Sequence, residues 1–204
     1  MKQIATVVNN NQPGWQNIVE TEPNVTLPIG TKLYLAEPFV AIGAQLGGGF
    51  FAGEYTLNGE RYALVVAPKT EGEKLDSQYK KHNTADGADS DDDGLANSEG
   101  INDSKHPAAQ FCRSLQIGGN NDWYLPSLDE LAMMQRNLGP RRKNTPEQFR
   151  EGSADAFQPN WYWSSTEHAS YSNYAWLVDF TNGYQDDLLK DNDFGVRAVR
   201  RLPI

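Results

Sequence analysis

The amino-acid sequence predicts an α+β fold in which two helices pack against short antiparallel strands and hairpins. Three observations carry that expectation. Two Asn-Gly pairs, Asn58-Gly59 and Asn182-Gly183, are each flanked by β-forming residues. Two helical patterns lie between residues 107 and 138, and strand-like alternation returns over the end of the chain.

Taken in order, residues 1–45 are rich in Asn, Pro and Thr, with β-like pieces such as 31–35 and no helical period. They are expected to form an arm or edge strands, with residues 46–204 as the domain. Gly47, Gly48 and Gly49 lack the spacing and the Lys of a phosphate loop, so a turn or a close packing contact is their expected role. The runs 50–57 and 61–66 then flank Asn58-Gly59, the pair that most easily takes the positive φ angles of a two-residue hairpin turn. Residues 69–103 are polar and almost free of aromatics, which reads as a long functional loop or an inserted mobile segment.

The first helix is expected from Pro107, with Ala108, Phe111, Cys112 and Leu115 on one face and Gly118-Gly119 ending it in a left-handed conformation. The second runs from Leu128 to Leu138. Ser127 and Glu130 form its capping box, Leu131 and Met134 continue its apolar face, and Gly139-Pro140 stops it. Thr145-Pro146-Glu147-Gln148 repeats the capping pattern for a short turn beside a solvated basic stretch, Arg141, Arg142 and Lys143. Strands are expected at 161–164, 174–180, 184–189 and 194–200, with a second tight turn at Asn182-Gly183. Alternation in the second of these puts Trp176, Val178 and Phe180 inward and Leu177 and Asp179 outward.

Composition narrows the function. The 204 residues allow one full domain, and 5 Trp, 9 Tyr and 8 Phe supply its core. With 18 Lys plus Arg against 27 Asp plus Glu, the net charge of -9 disfavours binding to a phosphate backbone, so nucleic acid is not an expected partner. No apolar run is long enough for a membrane span, and neither a signal peptide nor an anchor is evident, so insertion into a membrane is not expected. The single Cys112 excludes an internal disulfide and lies on an apolar helix face, where a buried inert thiol is the ordinary case. His82, His106 and His168 fall in three separate segments with no metal-binding or nucleophile motif, so no catalytic residue is assigned.

Two stretches remain as candidate sites. Asp89-Ser90-Asp91-Asp92-Asp93-Gly94 matches D-x-D-x-D-G, so Asp89, Asp91 and Asp93 are candidate calcium ligands. The closing bidentate Glu is misplaced, because the twelfth position is Gly100, and a solvated acidic loop is the competing reading. No cofactor other than that ion is implied. Residues 166–193 carry the Tyr, Ser, Asn and Asp bias of a binding surface, although ordinary hairpin loops share it.

Four motifs in order, Asn121-Asp122-Trp123-Tyr124-Leu125-Pro126-Ser127 with Glu130-Leu131, Trp161-Tyr162-Trp163-Ser164-Ser165-Thr166-Glu167, Trp176 with Phe180-Thr181-Asn182-Gly183, and Val196-Arg197-Ala198-Val199-Arg200-Arg201, resemble the Lcl C-terminal domain family. That family is named for the C-terminal domain of a bacterial collagen-like adhesin, and many of its members look like phage or prophage proteins. The resemblance implies a C-type-lectin-like fold related to the formylglycine-generating-enzyme type. The related copper-dependent oxidases need a pair of cysteines, and this chain has one.

The implied function is non-enzymatic recognition of a host-cell surface protein or glycan, in a virion or in the bacterial cytoplasm before assembly. Relatives of the fold include tail receptor-binding proteins and hypervariable diversity-generating-retroelement products. A structural virion or assembly module, with the fold trimerising as a homo-oligomer, is the alternative. On this reading Trp163, Trp176, Phe180 and Val199 are core, and Arg197 or Arg200 hydrogen-bonds inside the fold. Ligand contacts are expected at Tyr171, Asn173, Asp179, Asn182, Tyr184, Asp187, Leu188, Leu189, Asp191 and Asn192. Leu188 and Leu189 are adjacent in a strand, so at least one is expected to face solvent.

Overall fold

The computed structural model describes residues 40–81 and 84–204, so the expected strand at 31–35 and His82 lie outside the described residues. The compact unit spans Ala41–Ile204. Its elements are β1 (Gln45–Leu46), β2 (Gly49–Leu57), β3 (Glu60–Val66), α1 (Lys69–Gly72), β4 (Glu73–Gln78), α2 (Gly94–Gly100), α3 (Pro107–Arg113) and α4 (Leu128–Leu138). A 3-10 turn (Glu147–Phe149) then leads to β5 (Trp161–Glu167), β6 (Tyr174–Asp179), β7 (Gln185–Leu189), β8 (Asp193–Arg197) and β9 (Val199–Pro203).

The strands form two sheets, one ordered β1-β2-β3-β9 and the other β4-β8-β5-β6-β7. All pairs are antiparallel except β5 with β8, which run parallel at Tyr162 and Gly195. The first hairpin forms as expected: Leu57 faces Glu60 across a two-residue turn in which Asn58 and Gly59 have φ of 52° and 85°. The glycine run serves close packing, because a Cβ on Gly49 would sit 2.2 Å from the Val66 carbonyl oxygen.

Helix α4 has the bounds and the chemistry the sequence predicts. The Ser127 hydroxyl accepts from the Glu130 N–H while the Glu130 carboxylate accepts from the Ser127 N–H at 2.9 Å. Its apolar face, Leu131, Met134 and Leu138, is fully buried with Phe149, Phe157, Phe180, Tyr162 and Val178 in one core. A second core gathers Cys112 of α3 with Tyr79, Trp123, Trp163, Leu177 and Val196.

Several expectations are corrected. The polar stretch 69–103 is not one long loop. It holds α1, β4 and α2, and β4 pairs with β8. Helix α3 ends at Arg113, capped by Ser114, so Gly118-Gly119 does not terminate it but closes a turn whose ends, Ile117 and Asn120, bridge. Thr145 does not cap the next turn; its hydroxyl donates to the Gly139 carbonyl.

The expected strand 194–200 is two strands, because the chain crosses from one sheet to the other at Ala198, whose N–H and C=O bond to Gly72 and Ala67. Leu177 does not face solvent. The five-stranded sheet is covered on both faces, with Trp163 and Leu177 entering one core and Tyr162 and Val178 the other, so alternation of burial is lost. Trp163, Phe180 and Val199 are fully buried as expected, while Trp176 is only half-buried.

Two of the three arginines of the closing motif are anchored inside the fold, and Arg197 ties one sheet to the other. Arg197, fully buried, donates to the Ala67 carbonyl at 2.7 Å and to Glu73 at 3.1 Å. Arg200 grips Asp122 with two bonds of 2.8 Å and the Gly47 carbonyl with one of 2.7 Å.

Candidate functional site

The candidate surface is the β6–β7 hairpin with the loops on either side of it. Its base is an ionic framework that the sequence did not reveal. Lys190, just past β7, is fully buried, and its ammonium reaches Glu167 at 2.5 Å and the carbonyls of Ser172 and Thr84 at 2.6 and 3.0 Å. The other Glu167 oxygen accepts the N–H groups of Asp86 and Gly87 at 2.8 and 3.0 Å. Asp86 is held in turn by buried Lys80 and by His106 Nε2, whose Nδ1 meets Asp103 at 2.8 Å. Burial alone would push the Asp86 carboxyl up; the Lys80 and His106 hydrogen bonds outweigh it and hold it below the ordinary range. Burial also pushes Lys190 down, against the pull of Glu167. One lysine in an acidic stretch and one glutamate after Trp-Ser-Ser-Thr were the available signals.

Above this base stands an aromatic tier. His168 stacks on Trp176 with ring centroids 5.5 Å apart, and Tyr171 lies against His168 at 4.7 Å and Tyr174 at 6.1 Å. His168 Nδ1 accepts the N–H groups of Ser170 and Tyr171 at 3.0 and 3.1 Å, so the ring proton sits on Nε2. That pair of bonds shapes the turn that carries Tyr171, 59 % exposed, to the surface.

The ten expected contact residues do not share one face. Strand register sets Asp187 opposite Trp176 and Leu189 opposite Tyr174 on one side of the sheet, and Leu188 opposite Ala175 on the other. Tyr184, 61 % exposed, stands on that second side, edge-on to Trp161 at 6.2 Å. Leu188 and Leu189 are both half-buried, and Leu188 packs on the core containing Trp163, so neither projects freely into solvent. Asn182, Asp191 and Asn192 are exposed. Asp179 is half-buried and shapes the loop by accepting the Thr181 N–H at 2.7 Å, while the Asn173 carbonyl receives the Lys190 N–H. The Asp179 carboxylate and the Asn173 backbone thus shape the two ends of the hairpin.

Asp89, Asp91 and Asp93 are not brought together as a ligand set. The Asp93 carboxylate caps α2 through the Ala96 N–H and pairs with Arg201 at 2.8 Å. Gly94 is needed for close approach, since a Cβ there would lie 2.4 Å from both Glu130 Oε2 and the Ser127 nitrogen. Among the described residues, no three His, Cys, Asp or Glu side chains are grouped to hold a metal ion.

Elsewhere, Tyr55 and Tyr124 donate to buried Glu130 at 2.7 and 2.6 Å beside a cleft of about 440 Å³ lined in part by Asp92, Asp129 and Arg136. Burial pushes the Glu130 carboxyl up, and these hydrogen bonds counter it. Cys112 is fully buried and its thiol is pushed up by burial. Among the described residues no helix is long and apolar enough to cross a membrane.

The class of protein that the chain's family match suggests is an adhesin-like or ligand-binding module. Residues 73–200 match the Lcl C-terminal domain, and the chain belongs to that family. No curated protein matches the chain.

Proposed function

We propose that the protein is a non-enzymatic recognition module of C-type-lectin-like architecture, phage or prophage encoded, whose β6–β7 hairpin contacts a host-cell surface protein or glycan. The observation that carries this reading is the pairing of exposed Tyr171 and Tyr184 with a hairpin whose base is fastened by the buried Lys190–Glu167 pair. A fastened base holds the tyrosines in place before a ligand arrives, which lowers the ordering cost of binding. The reading calls for no cofactor, and it places the protein in a virion or in the bacterial cytoplasm before assembly. Diversification by a retroelement fits the same hairpin.

The test replaces Tyr171, Asn182, Tyr184, Asp187, Asp191 and Asn192 together by Ala and measures melting temperature and adsorption to host cells. Lost adsorption at an unchanged melting temperature supports recognition. Adsorption that persists in the folded variant, or a homo-oligomer that falls apart in it, supports the structural virion or assembly module instead.

A further inference from the structure

Strand β7 is the last strand of its sheet, and among the described residues β6 is its strand partner. The pattern of bonds to β6 shows which backbone groups are free. Asp179 N–H donates to the Tyr184 carbonyl and Lys190 N–H to the Asn173 carbonyl, so Tyr184, Asp186, Leu188 and Lys190 bond inward. Gln185, Asp187 and Leu189 therefore turn their N–H and C=O groups away from β6. Two of these are occupied locally: the Asp187 N–H donates to the Asp186 carboxylate at 2.9 Å, and the Leu189 carbonyl accepts from the Asn192 N–H. The Asp186 carboxylate thus stands where the carbonyl of an added strand would bind.

Charge decides what can lie along this edge. Between residues 168 and 193 the charged side chains apart from histidine are Asp179, Asp186, Asp187, Asp191, Asp193 and Lys190. Lys190 is fully buried against Glu167, and the arginines from outside the segment meet the hairpin at its tip, where Arg142 donates to the Asn182 carbonyl, and in the cleft that Gln185 shares with Arg136, so the charges of β7 itself, Asp186 and Asp187, are acidic. A second copy pairing edge to edge would set Asp186 and Asp187 against their own counterparts, and like charges directly opposite destabilise a strand pair. A sulfated or phosphorylated ligand meets the same repulsion. An extended segment bearing Lys or Arg meets the opposite: its carbonyl replaces the Asp186 carboxylate at the Asp187 N–H, and the released carboxylate pairs with the incoming cation. Exposed Tyr184 and Tyr171 offer aromatic faces to the same cations.

We propose that the free edge of β7 docks an extended basic segment of a partner protein by strand addition, with Asp186 and Asp187 selecting the charge. The proposal rests on the reading of this hairpin as a recognition surface and names the partner's chemistry. The probes are three synthetic peptides: alternating Lys-Thr, alternating Glu-Thr, and Lys-Thr with alternate backbone nitrogens methylated. Binding to the full chain is measured by calorimetry and by amide hydrogen exchange. The Lys-Thr peptide is expected to bind saturably and to slow exchange at the Gln185 and Leu189 amides. The Glu-Thr and the methylated peptides should each bind at least about tenfold more weakly.

Asp186→Asn with Asp187→Asn preserves side-chain shape and should weaken the Lys-Thr peptide by a similar factor, while Glu60→Lys on the other sheet should leave its affinity unchanged within error. Equal affinity for the methylated peptide, no slowing at Gln185 and Leu189, or concentration-dependent pairing of the chain through β7 overturns the proposal. If no peptide binds while the combined surface variant still loses host-cell adsorption, strand addition fails and the recognition reading stands. If adsorption ignores that variant, the recognition reading itself fails.

Discussion

The β2–β3 and β6–β7 hairpins carry the same turn dipeptide and one ion pair each, yet they are built differently. Asn58-Gly59 closes a two-residue turn with both φ angles positive and open space around Gly59. Asn182-Gly183 does not close a tight turn: only Gly183, at φ 88°, is left-handed, and residues 180–184 separate the strands. Phe180 explains the difference. It is drawn into the core against Phe157 at 4.2 Å, and its N–H is taken by Asn160, so the strand end is diverted before the turn can close. The ion pairs diverge in the same way. Arg61–Glu54 has side chains 56 % and 49 % exposed, whereas Lys190–Glu167 has 0 % and 4 %. A dipeptide decides a turn only where nothing else competes for its neighbours.

The largest effect should separate the two ion pairs. Glu167→Ala leaves buried Lys190 without its counter-charge and is expected to cost about 3–5 kcal/mol in urea unfolding. Glu54→Ala at the exposed pair should cost no more than about 1 kcal/mol. Similar losses in the two variants would break the distinction between the hairpins.

A second, smaller contrast lies in the glycines. Gly59→Ala carries only the left-handed backbone cost of about 1–2 kcal/mol. In Gly183→Ala the new Cβ lands 2.4 Å from Arg142 Nη2 and 2.7 Å from Gln135 Oε1, displacing a hydrogen bond between them. Its loss should therefore exceed that of Gly59→Ala by about 1 kcal/mol. Adding Arg142→Ala to each should erase the excess at Gly183 and do nothing at Gly59, a double-mutant cycle that isolates the contact.

The smallest effect is in pH. Lys190 reaches the Thr84 carbonyl in the loop that Asp86 holds, and no such charged network supports the first hairpin's exposed pair. Because the Asp86 carboxyl is held below its ordinary range, its contribution to stability is complete above the unfolded value of about 3.9 and is lost as pH falls through the lower folded value. The melting-temperature gap between wild type and Asp86→Asn should therefore be constant at neutral pH and close below about pH 4. A gap that instead widened in acid would contradict the pairing with Lys80 and His106.

Legibility follows the range of the forces. Helix α4 could be read to the residue because its capping box and apolar face lie within one helix, and the β2–β3 turn because two adjacent φ angles decide it. The burial of Trp163 and Phe180 followed from their size and setting. The candidate surface was only partly legible: the exposure of Tyr171 and Tyr184 could be anticipated, but their separation onto two faces of the sheet depended on register with β6.

By itself, then, the sequence determined the α+β class, the second helix with both its ends and the first hairpin, through contacts between near neighbours. Tertiary structure alone decided that the last strand splits between two sheets at Ala198, that Leu177 is core, and that Lys190 finds Glu167 while Asp93 turns to Arg201 instead of joining Asp89 and Asp91. The physical reason is that a buried charge or a doubly covered strand is stabilised by partners far away in the chain. Local spacing carries no record of which distant partner will be there.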